Sequence, residues 1–346
     1  MQLNSFNHFR AIAIIFIIAG HSYDLVGMEI GGLFDNSIRN LITGGTSLFV
    51  FISGFLFHHV FYPKYQYKKF MIKKCSNVFL PYLILGFIPV CLYVLMKKDG
   101  WDGYFLPTGH GLVSEYIVPG LKYYISGRFL TAYWYIPFIL ATFILSPLHI
   151  KYIHQNFKFQ LSIILFFSII SILIHRPVSN ISVIQSILYF TPIYLIGITT
   201  SIHKEKVNKY LNSKEWYLIS IVILLATFQA YLGNVGNYHK PPFQFGSIDL
   251  MYFQKIVLCF FFMIFLNRFE TYNSPIVHNV ASTSFTAFFI HPFILWILSR
   301  LEFDFIKQNS WLIFAIFVVV IAYCCVAIAK LFKKILPKYS RNIIGY

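Results

Sequence analysis

Apolar runs long enough to cross a bilayer recur from one end of this 346-residue chain to the other, and no other feature constrains its fold so strongly. Inside the hydrocarbon layer each backbone N–H and C=O must be satisfied within the chain, so a run of ~17–25 apolar residues crosses as a helix. Ten runs are expected to do so: 9–28, 42–61, 78–96, 132–148, 159–175, 184–202, 216–232, 250–267, 280–298 and 310–330. Soluble proteins carry about 25% charged residues. Here the share is 12%, with a mean hydropathy of +0.67, too little polar surface for two water-soluble domains. The reading is an all-α integral membrane protein of ten transmembrane helices, one domain over 1–346. The first run has the outline of a signal peptide, with Arg10 ahead of it, but no convincing small-x-small site follows, so it is expected to be retained.

Orientation follows from the basic residues. With the N-terminus in the cytoplasm, 18 of the 28 lysines and arginines fall on inner segments and ten on outer ones. That bias sets topology, and an even number of spans then puts both termini in the cytoplasm. A net charge of +16 could suggest nucleic acid, but no basic stripe on a soluble face supports it. Cys91, Cys259, Cys324 and Cys325 lie within apolar runs and Cys75 beside lysines; they read as small hydrophobes, with no disulfide framework. Segment 64–77, rich in lysine, is expected to lie on the inner leaflet as a basic amphipathic stretch. The outer loop 97–131 contains Trp101, Tyr104, Tyr123 and Tyr124, either an interfacial aromatic belt or a stacking surface for a sugar.

Ionisable residues within the membrane mark function, because burying their charge costs ~2.5–3.5 kcal/mol or more. His21 follows Arg10 by eleven residues. Eleven steps of 100° place both on one helix face, about 16 Å apart along the axis, with Arg10 at the cytoplasmic mouth and His21 near the midplane. His291 lies eleven residues into the run that starts at 280, and Ser53 eleven residues from the outer end of the run that starts at 42, so all three reach similar depth. Whether they meet laterally does not follow from spacing. An imidazole suits general-base or nucleophilic work, and an arginine on the same face suits a phosphate. Asp24, three residues past His21, either orients the ring or is a solvated carboxylate at the helix end. Ser53-Gly54 is either a close-packing pair or a substrate contact. His175-Arg176 read as interfacial and Lys255 as a snorkelling lysine; no metal-ligand spacing joins the histidines.

These motifs resemble the bacterial acyltransferase-3 family, membrane enzymes that O-acylate cell-surface glycans. The resemblance rests on Arg10-x10-His21; on Gly45-x-x-Leu48-Phe49-x-Phe51-x-Ser53-Gly54-Phe55-Leu56; on Tyr67-x-x-Phe70-x-x-Lys73-Lys74 leading to Pro81-Tyr82; on Tyr133-Trp134-Tyr135-Ile136-Pro137; and on Ser284-Phe285 through His291-Pro292. Asn77 departs from it, standing where the family often has a second basic residue. The resemblance implies an acyl-CoA donor, most often acetyl-CoA, entering from the cytoplasm, with Arg10, Lys73 and Lys74 holding its phosphates and no bound cofactor. His21 would act as base toward the acceptor hydroxyl or through an acyl-histidine. Trp101, Tyr133 and Trp134 would lie on the acceptor side, facing a surface polysaccharide, in a stand-alone ten-helix form of the bacterial inner membrane without the esterase-like domain of many relatives. The competing reading is a ten-helix flippase or exporter of a glycan or lipid-linked sugar, expected to show repeated halves with helices broken in corresponding positions. A third, a subunit of a polysaccharide synthesis complex, would need no intact Arg10-x10-His21 pair.

Overall fold

A computed structural model describes residues 3–96, 103–242, 244, 246–301 and 307–346. The chain is a multi-pass membrane protein, 76% helical. In order, the helices are α1 (Asn4–Gly20), α2 (Gly32–Ile42), α3 (Thr46–Leu56), α4 (Tyr67–Lys74), α5 (Leu80–Leu95), α6 (Val118–Ser126), α7 (Tyr135–Ile144) and α8 (Ser146–Ile153). They continue as α9 (Phe157–Ile174), α10 (Val183–Ile202), α11 (Lys204–Leu211), α12 (Glu215–Tyr231), α13 (Leu250–Asn267), α14 (Pro275–Leu301), α15 (Trp311–Ile335) and α16 (Ser340–Ile344). The only extended pairing among the described residues is parallel, between β1 (Arg176–Pro177) and β2 (His239–Lys240), in the register Arg176 with His239.

Among the described residues seven helical stretches are long and apolar enough to cross a membrane, or nine if each of two bent pairs counts as one span. The bends are 57° between α7 and α8, at Leu145 ahead of Pro147, and 84° between α11 and α12. α1 is apolar but shorter, at 17 residues. Boundaries shift from those expected. The first helix covers 4–20 rather than 9–28, because the chain turns at His21 into a single 3-10 turn that Gly27 closes at φ 64°. The basic segment does not lie apart as a surface helix: residues 67–95 form one continuous span, with a π turn at Cys75–Phe79 joining α4 to α5. The outer loop contains α6 and a π turn before it.

Backbone-to-backbone packing sets the centre of the bundle. A Cβ on Gly54 of α3 would strike the carbonyl of Tyr194 on α10, and one on Gly197 of α10 would strike the carbonyl of Phe51. Ser53-Gly54 is therefore explained at its glycine by the approach of two helices. Lys255 is not a snorkelling lysine: it is 1% exposed, and its Nζ donates to the carbonyls of Asn40 and Leu41 at the end of α2, at 2.9 and 2.8 Å. The Glu270 carboxylate accepts the N–H groups of Asn4 and Ser5, while Gly345 packs on Phe285 of α14. All five cysteines are free.

Candidate active site

α1 and α14 run side by side and meet through polar side chains at two levels. At the first, Arg10 donates from Nη2 to Oγ of Ser284 at 3.1 Å. At the second, the rings of His21 and His291 stack, with centroids 5.8 Å apart and planes 24° from parallel. Eleven residues separate the levels on α1 and seven on α14, about 16 and 10 Å of rise. The Arg10 side chain makes up the difference by reaching along the bundle, which brings its guanidinium to about 10 Å from the level of the histidines.

The two imidazoles differ. His291 is fully buried; its Nδ1 lies 2.8 Å from the carbonyl of Ala287 and can only donate to it. His21 is half-buried and caps the C-terminus of α1, so it stands at a helix end rather than mid-helix. Its Nδ1 is 2.8 Å from Oγ1 of Thr131. Thr131 thus does what Asp24 was a candidate to do; Asp24 itself is exposed. Ser53 does not join the pair. It bonds Tyr135, whose ring lies 5.3 Å from Phe288, and Phe288 meets His291 at 6.2 Å.

Thr131 comes from a buried turn that holds an unfavourable backbone. Ala132 adopts φ 66°, at a cost of about 1–2 kcal/mol for an L-residue. Gly127, at φ 69°, packs so closely on Tyr133 and Trp134 that a side chain there would collide with their backbone. Tyr133 is fully buried and donates its hydroxyl to the carbonyl of Phe289, at 3.0 Å, so it buttresses the helix that carries His291. Trp134 is buried as well, stacked on Phe190. Trp101 lies outside the described residues.

Arg176 is not interfacial. It is 4% exposed, its guanidinium lies 5.0 Å over Trp134 and 5.4 Å over Phe190, and it donates to Asn180 at 3.2 Å. Burial lowers its pKa, against the charges of Tyr189 and Asp249. Arg128 stands four residues after Tyr124 in the turn that holds Thr131, and burial pushes its pKa down to about 10. Both arginines act electrostatically on the imidazoles of His21 and His239. At the Arg10 end, Lys73 is exposed, whereas Lys74 holds its Nζ 4.1, 4.4 and 5.1 Å from the ring centres of Phe143, Phe61 and Phe70. The two lysines are therefore not equivalent: successive helical residues face 100° apart, and Lys73 is the more exposed.

Among the described residues no group of three or more His, Cys, Asp or Glu side chains is placed to hold a metal ion. A cavity of about 420 Å³ lies at the Arg10 end, lined by Asn208, Lys209, Asn267 and Arg268 among others, and touches neither histidine of the pair. Thr131, Arg128, Arg176 and His239 escape sequence reasoning because no spacing rule links residues so far apart in the chain. A family model described as an acyltransferase domain matches residues 3–330. No curated protein and no solved structure matches the chain significantly.

Proposed function

This chain belongs to that acyltransferase family, and we propose that it moves an acyl group, acetyl in the first instance, from cytoplasmic acyl-CoA to a hydroxyl of a surface carbohydrate. The observation that carries this reading is the half-buried His21, oriented by Thr131 and set beside the same helix that receives Arg10. With Nδ1–H donating to Thr131, the Nε2 lone pair is left to take a proton. The acceptor O–H bond breaks as its oxygen bonds the acyl carbon, the C–S bond of the thioester breaks, and the proton passes from His21 to the sulfur, leaving free CoA and an ester. The same lone pair would be the nucleophile of a two-step route through an acyl-imidazole, which ping-pong kinetics would identify.

In this proposal the Arg10 end faces the cytoplasm, as the lysine and arginine bias favours, and Arg10 and Lys73 hold the donor's phosphates. Lys74, held by three rings, shapes the wall beside them. The acceptor comes from the other side, as a lipid-linked or assembled polysaccharide, across the bacterial inner membrane. The two bent helix pairs favour a second reading, transport of a glycan, because broken helices build transporter sites. They do not occupy corresponding places: one bend falls within a span and the other ahead of one.

NMR of surface polysaccharide separates the two. Cells lacking the protein are complemented with wild type or with His21→Ala, and membrane insertion of each is checked. O-acyl signals that return with wild type alone support transfer by His21. Equal acylation in all strains, with glycan retained inside the deletion, overturns transfer in favour of transport.

A further inference from the structure

The cavity of about 420 Å³ lies between α11 and the end of α13, away from the histidine pair. Asn208, Lys209 and Asn212 line it from α11 and its C-cap, with four residues between the two asparagines, so that both lie on one helix face. Asn267 and Arg268 line it from the last residue and the C-cap of α13, and Ile264, one turn earlier, adds a buried apolar side chain. Among the described residues none of the three asparagine side chains makes a hydrogen bond. Lys209 is exposed, and no carboxylate of the described residues lies within 4.0 Å of its ammonium. Arg268 holds Glu215 through Nε, at 2.8 Å, which leaves its two terminal nitrogens without a hydrogen-bond partner there.

The level of this cavity in the bundle says what surrounds it. α13 is apolar enough to cross a membrane and ends at Asn267, while α11 lies at 84° to α12, nearly across the bundle. Tyr210, Trp216, Tyr217 and Phe269, all exposed, stand next to the lining residues or at the start of α12. Exposed aromatic rings at the ends of membrane helices mark the headgroup level, and exposed Ile221, Leu224 and Phe228 continue α12 toward acyl chains. Basic pockets between helices at this level receive lipid headgroups. The charges favour one kind. Arg268 and Glu215 cancel, so Lys209 leaves one positive charge in excess, the complement of one phosphate diester. No carboxylate lines the cavity, and Glu215 is 3% exposed, so a headgroup ammonium would find no counter-charge. Carboxamides both donate and accept, as hydroxyls do.

We infer that this cavity binds the headgroup of an anionic phospholipid, a phosphate diester that carries hydroxyls rather than an ammonium. Lys209 and the terminal nitrogens of Arg268 donate to the phosphate oxygens, and the exposed carboxamides of Asn212 and Asn267 pair with the hydroxyls. The acyl chains run over the apolar faces of α12 and α13. The inference stands apart from the transfer reading, because the cavity touches neither His21 nor His291 and its occupant is not a reactant.

Native mass spectrometry of the full-length protein in detergent tests it without turnover. The probes are dioctanoyl phosphatidylglycerol, dioctanoyl phosphatidylethanolamine and glycerophosphoglycerol, the first headgroup without its chains. The first phosphatidylglycerol is expected to bind about ten-fold tighter than the first phosphatidylethanolamine, and Lys209→Gln should weaken it about five-fold, the worth of one cation at a lipid surface. Lys214→Gln removes the same charge from the same surface outside the cavity, where the ammonium lies 4.1 Å from the ring centre of Tyr210, and should change binding far less. Asn267→Leu, which keeps every charge, should narrow the preference between the two lipids, and it carries the test should Lys209→Gln fail to fold on thermal melting. Equal binding of the two lipids to wild type overturns the inference. So does an equal loss in Lys209→Gln and Lys214→Gln, which would mean diffuse attraction to a basic surface. Glycerophosphoglycerol binding as tightly as the lipid overturns it too, in favour of a soluble phosphate ester.

Discussion

The two groups of residues that flank the His21–His291 pair are built in opposite ways. At one end, Arg10 and His21 lie on a single helix, and its partner Ser284 and His291 lie on a single neighbouring helix. At the other, Arg128, Arg176 and His239 come from three connections, held by a two-residue β pairing and by residues in left-handed backbone. The first is fixed by helix periodicity, which needs only regular hydrogen bonding. The second is fixed by irregular backbone buried within protein, which a membrane domain tolerates only where neighbouring groups satisfy it. Rigidity of both kinds flanks one half-buried imidazole.

The largest effect that would sharpen this contrast lies at Arg10. In the proposed reaction Arg10→Ala should raise KM for acyl-CoA about 10–100-fold, the range for losing hydrogen bonds to a charged group, while KM for the acceptor moves little. Arg10→Lys should recover only part, since an ammonium cannot reproduce the fork that reaches Ser284 and a phosphate together. Steady-state kinetics with both substrates varied would read the split. Equal rises in both KM values would break the comparison, because the two ends would then act as one site.

Legibility in the sequence follows the same divide. Part of what depends on helical period is readable: the membrane class, and the approach of Arg10 and His21 to one neighbouring helix, whereas ten expected spans stand as seven to nine among the described residues. Ser53 was placed at the depth of the two histidines too, but depth is one coordinate, and laterally Tyr135 and Phe288 intervene. Lys255 and Arg176 were misjudged for a related reason. A cation at the end of an apolar run is ordinarily drawn to water, and only tertiary structure reveals carbonyls at the end of α2 or the rings of Trp134 and Phe190 waiting for it. The bend of α7 onto α8 had a local signal in Pro147, whereas Thr131 had none: its contact with His21 spans 110 residues.

A smaller effect is expected at the seam between the clusters. Thr131→Val keeps the shape of the side chain but removes the hydroxyl at Nδ1 of His21, and kcat should fall about 3–10-fold with both KM values nearly constant. Thr131→Ser should restore most of the rate, which mere packing at this position would not require. If Thr131→Val matches wild type in kcat and in its pH profile, the turn serves only to carry Arg128, and the irregular cluster loses its link to the imidazole.

The smallest effect concerns how the regular end is anchored. Glu270 caps the first turn of α1, accepting the N–H groups of Asn4 and Ser5 at 2.8 and 2.9 Å. Burial alone would raise its pKa, but the bonds from Ser5 and Asn4 and the charge of Lys204 outweigh burial and hold it below the ordinary carboxylate value. A carboxylate depressed in the folded state adds stability that is fully present above its unfolded pKa and is lost as pH falls through the folded one. Glu270→Gln should therefore cost about 1 kcal/mol at neutral pH, the usual worth of a cap, and the gap to wild type should close in acid. Hydrogen exchange would locate the loss: faster exchange is expected in the first turn of α1 and unchanged exchange at 175–180, since the anchoring of the Arg176 cluster owes nothing to this carboxylate. Faster exchange in both places would mean that α1 transmits the loosening through the histidine pair, and that the two ends, though differently built, are mechanically one.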